Sequence, residues 1–231
     1  MIDLSDNLTG NNYIKYEAFL TPEESQAIAQ RVLRLGAHWI PRGKGTFYTL
    51  GASTYNDDVN TYPVVASQEN PILMRHFGGI IQRVCDFFQT IMAREVILVP
   101  HIGLPGFHIF DHSANGLDGH IHIDEPFKRI NWPHPYNKPF TFTLPVELPA
   151  QAGLNVYPDI DEAWFREYDQ GHDIAPPPAQ YYPYETGTLY WHSGLLAHQI
   201  ANPIDVERGT YRITLQGHGL TLGNQVIVLY F

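Results

Sequence analysis

Two residues with metal-ligating side chains, His122 and Asp124, stand one position apart in the sequence His-Ile-Asp. In an extended segment, residues i and i+2 project to the same side, so this imidazole and this carboxylate would face one metal ion together. They would be two of the three protein ligands of a facial triad, a metal site that leaves three coordination positions open. The triplet is common by chance, so its weight depends on a second histidine elsewhere in the chain.

His198 is the candidate for that third ligand. It lies in the second of two predicted strands, which are joined by a turn at Ser193-Gly194. Arg212 and Thr214 follow on the next predicted strand, where their spacing of two places them on one face.

Two helices are predicted before these strands. The segment Thr21-Pro22-Glu23-Glu24 has the residues of a capping box, and Gly36 is the expected helix end. A second helix is predicted to begin at Asn70-Pro71, because apolar residues then recur at spacings of three and four. Cys85 lies beside this stripe and is expected to be a core residue. The stripe consists of Leu73, Phe77, Ile80, Val84, Phe87 and Ile91.

From Glu95 onward, short apolar runs are separated by Gly, Pro, Asn and Asp, which is typical of strands joined by turns. The segments 119–124, 140–148 and 210–216 alternate polar with apolar residues, and we interpret their polar faces as the lining of a barrel interior that serves as a site. The predicted strands are 96–99, 107–110, 119–124, 140–148, 154–157, 188–191, 197–201, 210–216 and 225–231.

The fold class expected from this order is mainly β with supporting α-helices, a barrel or sandwich with helices against one sheet. We expect a single domain over 1–231, in which 1–94 forms a support of helices and strands for a β core at 95–231. The segment 159–185, with three successive prolines, is expected to be an inserted loop with one helical turn. Together with 131–138 it is expected to form a lid over the site.

Composition excludes several classes of protein. The 24 acidic residues outnumber the 14 basic ones and give a net charge of −10, which disfavours a nucleic-acid partner. The single cysteine rules out a disulfide framework. The apolar run 225–231 is too short to span a membrane, and no signal peptide is visible, so a cytoplasmic protein is expected. The oligomeric state is not indicated.

The order of these motifs over residues 96–231 resembles that of the Fe(II)/2-oxoglutarate-dependent oxygenases. The resemblance implies a double-stranded β-helix core, also called a jelly roll. It implies that His122, Asp124 and His198 hold Fe(II), and that Arg212 and Thr214 bind the far carboxylate of the cofactor 2-oxoglutarate. It also implies O2 as co-substrate and hydroxylation of a small metabolite or natural-product intermediate. Related halogenases usually have a small residue in place of the carboxylate, so Asp124 argues against halogenation.

Several assignments stay open at this stage. Arg208 is an alternative partner for the 2-oxoglutarate carboxylate, although it lies in a predicted turn. His120 shares the face of His122 and is expected to support the ligands or contact substrate. We also assign Asn155, Tyr190 and Trp191 to the substrate pocket, and we interpret His192 as a structural histidine.

Two other functions compete with this interpretation. One is a cupin enzyme that binds metal without 2-oxoglutarate, since His120 and His122 form a His-x-His pair. In that case Glu125 follows the pair too closely and Arg212 has no role. The other is a non-catalytic binding module with a surface histidine cluster. Iron-dependent turnover of 2-oxoglutarate is expected of an oxygenase but of neither alternative, so this measurement distinguishes them.

Overall fold

The computed structural model describes residues 14–42, 47–111, 119–172, 174–201, 209–223 and 226–231. The helices in this part are α1 (Pro22–Arg34), α2 (Tyr62–Met92) and α3 (Glu162–Asp169), with short 3-10 helices at Gly36–His38 and Pro126–Arg129. The strands are β1 (Lys15–Ala18), β2 (Ile40–Arg42), β3 (Phe47–Leu50), β4 (Glu95–Ile97), β5 (Gly106–Asp111), β6 (Tyr136–Glu147), β7 (Gly153–Val156), β8 (Gln180–Pro183), β9 (Thr188–Ser193), β10 (His198–Ala201), β11 (Tyr211–Leu222) and β12 (Val226–Tyr230).

These strands form a large sheet and a small one. The large sheet has the order β1-β9-β6-β11-β5-β3-β2, with β12 also pairing to β11 and β4 to β12, and the small sheet has the order β10-β7-β8. Arg212 of β11 donates hydrogen bonds to the carbonyls of Gly153 in β7 and Ala201 in β10, so the two sheets face each other. This arrangement confirms the predicted β-rich class and its double-stranded β-helix core.

Helix α1 begins as the sequence predicts. The Thr21 hydroxyl accepts from the Glu24 backbone N–H, and the Glu24 carboxylate accepts from the Thr21 N–H, which completes the capping box. The helix ends at Arg34, and Gly36 begins the short 3-10 helix that follows.

The predicted start of α2 at Asn70-Pro71 is wrong, because the helix begins at Tyr62 and contains Pro71. Proline also fits the first helical turn, and here Pro63 takes that position. Asn70 has a different role: its buried side-chain amide donates to the carbonyls of Pro100 and Ile102. The predicted apolar stripe does pack on the core, and Cys85 is buried.

The two faces of β6 and β11 are both buried but differ in chemistry. The outer face of the large sheet packs against α2, with the Phe88 ring 4.8 Å from Phe140 and 5.3 Å from Phe142. The inner face points toward the small sheet, as the alternation predicted. We call the space between this face and the small sheet the inner chamber. Its lining from the large sheet includes Thr141, Thr143, His192, Arg212, Thr214 and His218.

Two other predicted elements need correction. The segment 119–124 is not a regular strand, since His122 forms only an isolated bridge with His198. The insertion 159–185 contains α3, as expected, but also β8, which pairs with β7. The N-terminal part adds β1, β2 and β3 to the large sheet: β1 pairs with β9, β3 with β5, and β2 with β3. The expected division at residues 94 and 95 stays a prediction.

Within the described residues, none of the helices combines the length and apolar character that a bilayer crossing requires.

Candidate active site

Backbone pairing between the segment 119–124 and β10 brings the three predicted metal ligands together. The His122 N–H donates to the His198 carbonyl, and the His198 N–H donates to the His122 carbonyl, both at 2.9 Å. The Asp124 N–H donates to the Gly194 carbonyl at 2.9 Å. The turn at Ser193-Gly194 therefore holds the carboxylate end of the segment, while β10 holds its histidine.

The resulting cluster has the spacing of a mononuclear metal site. One ligand atom from each of His122, Asp124 and His198 lies within 4.8 Å of the other two. His122 Nε2 is 3.8 Å from Asp124 Oδ1, and His198 Nε2 is 3.5 Å from Asp124 Oδ2. Two imidazoles and one carboxylate form the donor set of non-heme Fe(II) sites and leave coordination positions for other molecules.

Hydrogen bonds to backbone carbonyls orient both ligand histidines. His122 Nδ1 is 2.8 Å from the His120 carbonyl, and His198 Nδ1 is 2.8 Å from the Leu196 carbonyl. A carbonyl only accepts, so each Nδ1 carries the proton and each Nε2 has a lone pair for a metal. His120 thus contributes its backbone carbonyl here, while its side chain is exposed.

The charge states also suit metal binding. Burial alone would raise the pKa of Asp124, but surrounding imidazoles, first that of His198, outweigh it and hold the pKa below its ordinary range. Burial lowers the pKa of His198 to about 3, despite the nearby carboxylate. At neutral pH both groups are deprotonated, so a metal ion need not displace protons from them.

Tyr55 also belongs to this site, and the sequence analysis did not identify it. Its hydroxyl donates to Asp124 Oδ1 at 3.1 Å. Burial, and then the Asp124 carboxylate, raises the pKa of Tyr55, which keeps the phenol a donor. The Arg129 guanidinium donates to the Tyr55 carbonyl at 2.8 Å and fixes the turn. No local pattern marks Tyr55, because the contact spans 69 residues.

A row of polar side chains crosses the inner face beside the triad. Thr141 of β6 lies opposite His192 of β9 and His218 of β11. The His218 Nδ1 is 3.0 Å from the Thr141 hydroxyl, and the His192 ring centroid is 4.9 Å from that of His198. His192 Nδ1 is bonded to the Ser193 carbonyl at 2.7 Å, which agrees with a structural role. His218 was missed because β11 extends six residues beyond the predicted strand end at 216.

Arg212 and Thr214 line the inner chamber, and each has a buried polar atom that lacks a hydrogen-bond partner among the described residues. Arg212 is 2% exposed, and its Nη2 donates to the Gly153 carbonyl at 3.2 Å. Its Nε and the Thr214 hydroxyl are buried without a hydrogen bond. Within the described residues, no carboxylate forms an ion pair with Arg212, and its guanidinium lies 5.4 Å from the Tyr184 ring centroid. Arg208, the alternative carboxylate partner, lies outside the described residues.

The three other residues predicted to line the substrate pocket lie on different faces of their strands, and their role there stays a prediction. Asn155 alternates with Leu154 and Val156, which pack in a cluster with Tyr190, so Asn155 is on the opposite face of β7. Tyr190 is on the inner face of β9, opposite Thr143 of β6, and its hydroxyl accepts from the Glu185 N–H at 2.8 Å. Trp191 is on the outer face of the large sheet, where its ring centroid is 5.2 Å from that of Phe87.

The insertion supports the metal-ligand segment from its far side. Trp164 and Phe165 of α3 pack with Ile121 and Tyr157. Since Ile121 and His122 are adjacent in an extended segment, their side chains point to opposite sides. The lid role expected for 131–138 and 159–185 stays a prediction.

Comparisons with known proteins agree with this fold. No protein-family model matches the sequence, and no curated protein matches it significantly. Solved structures do match. An N-substituted L-amino acid dioxygenase from Burkholderia ambifaria AMMD, in complex with alpha-ketoglutarate, has a TM-score of 0.56 at 12% identity, over 94% of this chain and 86% of that one.

Two further structures give similar values. AviO1 from Streptomyces viridochromogenes Tue57 has a TM-score of 0.53 at 11% identity and covers 97% of each chain. The non-heme alpha-ketoglutarate-dependent epimerase SnoN of nogalamycin biosynthesis has a TM-score of 0.52 at 12% identity, over 93% of this chain and 80% of that one. At this identity the likeness concerns the fold: the chain has the double-stranded β-helix fold of 2-oxoglutarate-dependent oxygenases.

Proposed function

We propose that this protein is a non-heme Fe(II)/2-oxoglutarate-dependent oxygenase that hydroxylates a small molecule. The observation that carries the proposal is the buried Arg212 guanidinium, which has no carboxylate partner among the described residues yet lies on the chamber face that leads to the triad. A buried charge without a counter-charge is costly, so this arrangement favours an anionic ligand that binds there.

The donor atoms present fit 2-oxoglutarate and iron. The lone pairs of His122 Nε2 and His198 Nε2, with the Asp124 carboxylate, match the ligand preference of Fe(II). The unpartnered Arg212 Nε and Thr214 hydroxyl match a carboxylate, which accepts several hydrogen bonds. When bound, iron and 2-oxoglutarate would supply the oxidation of a substrate C–H bond by O2, with release of succinate and CO2.

The chain's own residues have distinct parts in this scheme. The triad would hold the metal ion through two imidazoles and one carboxylate and leave other coordination positions for ligands. Arg212 and Thr214 orient 2-oxoglutarate through its far carboxylate, and Tyr55 orients the Asp124 carboxylate through its Oδ1. The buried walls of the chamber limit the access of water to the reacting groups.

The substrate class is part of the proposal. The acidic net charge of −10 disfavours nucleic acid, and the neighbours with this fold include a dioxygenase of N-substituted L-amino acids and an enzyme of natural-product biosynthesis. An amino-acid derivative or a natural-product intermediate is therefore the class to test first. The expected cytoplasmic location belongs to the same proposal, supported by the lone, free and buried Cys85.

The deciding experiment is succinate release under air by metal-free protein reloaded anaerobically with Fe(II), with 2-oxoglutarate and a pool of amino acids and small metabolites. Succinate formation that depends on both iron and a pool member supports the proposal, and a product heavier by one oxygen identifies hydroxylation. Iron-dependent turnover without 2-oxoglutarate would favour the cupin alternative. Iron binding with no turnover of any pool member would favour a binding module.

Arg212→Met is the matched variant for the cofactor site. It keeps the length and much of the volume of the side chain but removes the charge. We expect normal Fe(II) binding and an affinity for 2-oxoglutarate lower by roughly 30- to 1000-fold, since a charge-assisted bidentate contact is worth about 2–4 kcal/mol. Anaerobic titration of the Fe(II)-loaded protein with 2-oxoglutarate, followed by the charge-transfer absorption band of 2-oxoglutarate on Fe(II), measures this affinity. An unchanged affinity would contradict this role for Arg212 and favour Arg208 as the partner of the 2-oxoglutarate carboxylate.

A further inference from the structure

A third unpartnered polar atom lies beside those of Arg212 and Thr214. His108 is in β5, directly opposite Thr214 of β11, and Arg212 is opposite Phe110 two residues further along the same pair of strands. Because side chains alternate along a strand, His108, Thr214 and Arg212 share the inner face. His108 Nε2 is buried and has no hydrogen-bond partner in the described part of the chain, like Thr214 Oγ1 and Arg212 Nε.

The surroundings of His108 make this unpaired nitrogen unusual. Its ring centroid lies 5.0 Å from those of Phe47 and Phe231 and 6.1 Å from that of Phe110. Aromatic rings offer no strong acceptor to an N–H, so a partner has to come from another molecule in the chamber. Leaving such a group unpaired in the folded protein costs free energy.

The chemistry of the three atoms limits which chemical group can bind all of them. Arg212 Nε is a donor only, whereas the Thr214 hydroxyl and one imidazole nitrogen can each donate or accept. A group that satisfies all three must therefore accept hydrogen bonds, and a carboxylate with two oxygens can accept three at once. Burial lowers the pKa of His108 to about 3, so at neutral pH the ring is uncharged and can donate through Nε2 in the tautomer that carries its proton there.

We propose that His108 is a ligand-binding residue that donates a hydrogen bond to the same carboxylate that Arg212 and Thr214 bind. This inference rests on the proposed function, because it takes that carboxylate to be the far one of 2-oxoglutarate. It adds a contact from β5 to the two from β11. The three donors together select 2-oxo acids that carry a second carboxylate.

Two variants test the contact. His108→Phe keeps an aromatic ring among three phenylalanines but removes both nitrogens, while His108→Gln keeps a side-chain N–H at similar reach. Each variant and the wild type are loaded anaerobically with Fe(II), and 2-oxoglutarate and 2-oxovalerate are titrated separately. The second compound has the same chain length but lacks the far carboxylate, so the ratio of the two affinities isolates that group.

We expect His108→Phe to lower the affinity for 2-oxoglutarate by about 10- to 100-fold and to leave that for 2-oxovalerate unchanged. His108→Gln should restore the preference to within about threefold of the wild type, as a matched donor would. Iron content should be the same in all three proteins. Since the ratio is measured within one protein, partial loss of folded His108→Phe does not alter it.

The inference and the proposed function fail in different ways. If the wild type binds iron but shows no preference for 2-oxoglutarate over 2-oxovalerate, the function proposed for the chamber is wrong. If the wild type shows the preference and His108→Phe retains it in full, the cofactor site stands and His108 has no part in it. In that case a buried water satisfies Nε2, and only the stability of the protein should change.

Discussion

The two faces of the large sheet are equally buried and chemically opposite. On the outer face, Phe140, Phe142 and Leu144 of β6 pack against α2 at 2% exposure or less. On the inner face of the same strand, Thr141 is 5% exposed and Thr143 is 6% exposed. Burial of apolar side chains stabilises the fold, whereas burial of polar ones stabilises it only where each finds a partner.

This difference distinguishes residues that serve the stability of the fold from residues that serve binding. The inner face has several polar atoms without partners, among them those of His108, Arg212 and Thr214. A face that served stability alone would have apolar residues there, because replacement of an unsatisfied polar group by an apolar one of the same shape is neutral or stabilising. We interpret this as a cost that the ligand proposed above offsets.

The largest expected effect at the inner chamber comes from Asp124→Ala. The substitution removes one of three ligands and the anion between two imidazoles, so Fe(II) binding should be lost. Metal analysis after anaerobic loading measures it, and His120→Ala, with its exposed side chain, is the control that should load normally. Iron content that is unchanged in Asp124→Ala would remove Asp124 from the metal site.

The largest expected effect on the outer face comes from Phe142→Ala. Truncation of this fully buried ring should lower the free energy of unfolding by about 3–5 kcal/mol, through lost burial and a cavity. The matched inner-face variant is Thr214→Val, which replaces an unpartnered hydroxyl by a methyl group and should be neutral or stabilising. Urea unfolding of the metal-free proteins compares them. Equal losses in both would show that the two faces do not differ as argued.

Tyr55→Phe should have an intermediate effect, which lowers the affinity for metal and leaves the stability of the fold unchanged. Loss of the hydroxyl removes the hydrogen bond to Asp124 Oδ1, and loss of such a partner of a metal ligand typically lowers metal affinity by about 10- to 100-fold. The fold should be unaffected, because Arg129 holds the Tyr55 backbone rather than its ring. Competition with a chelator measures the affinity for Fe(II) or Co(II). An unchanged value would mean that Asp124 is oriented by its own segment.

A further expected effect is an acid sensitivity of the inner face. Burial lowers the pKa of His108 to about 3 and that of His218 to about 4, below the value of about 6.5 in an unfolded chain. Between pH 6.5 and 4 the unfolded chain binds more protons, so stability should decrease as the pH falls, by at most about 1.4 kcal/mol per unit for each histidine. Urea unfolding at several pH values tests this, and His108→Phe should show a shallower slope.

Local patterns in the sequence were sufficient for the features that depend on neighbours in the chain. The capping box at Thr21 specifies a helix start, because its donors and acceptors lie within one turn. The alternation in β6 and β11 specifies two faces, because the side-chain period of a strand is two. The His-x-Asp triplet specifies a shared direction for His122 and Asp124 for the same reason.

Only the tertiary structure decided the features that depend on distant parts of the chain. Pairing with β10 sets the distance from His122 to His198. The turn that contains Tyr55 reaches Asp124 across 69 residues. Helix α2 starts at Tyr62 and not at the predicted Asn70, because the Asn70 side chain donates to carbonyls of a later loop instead of capping a helix. Such contacts depend on which surfaces the folded chain brings together, and no residue spacing in the sequence encodes that.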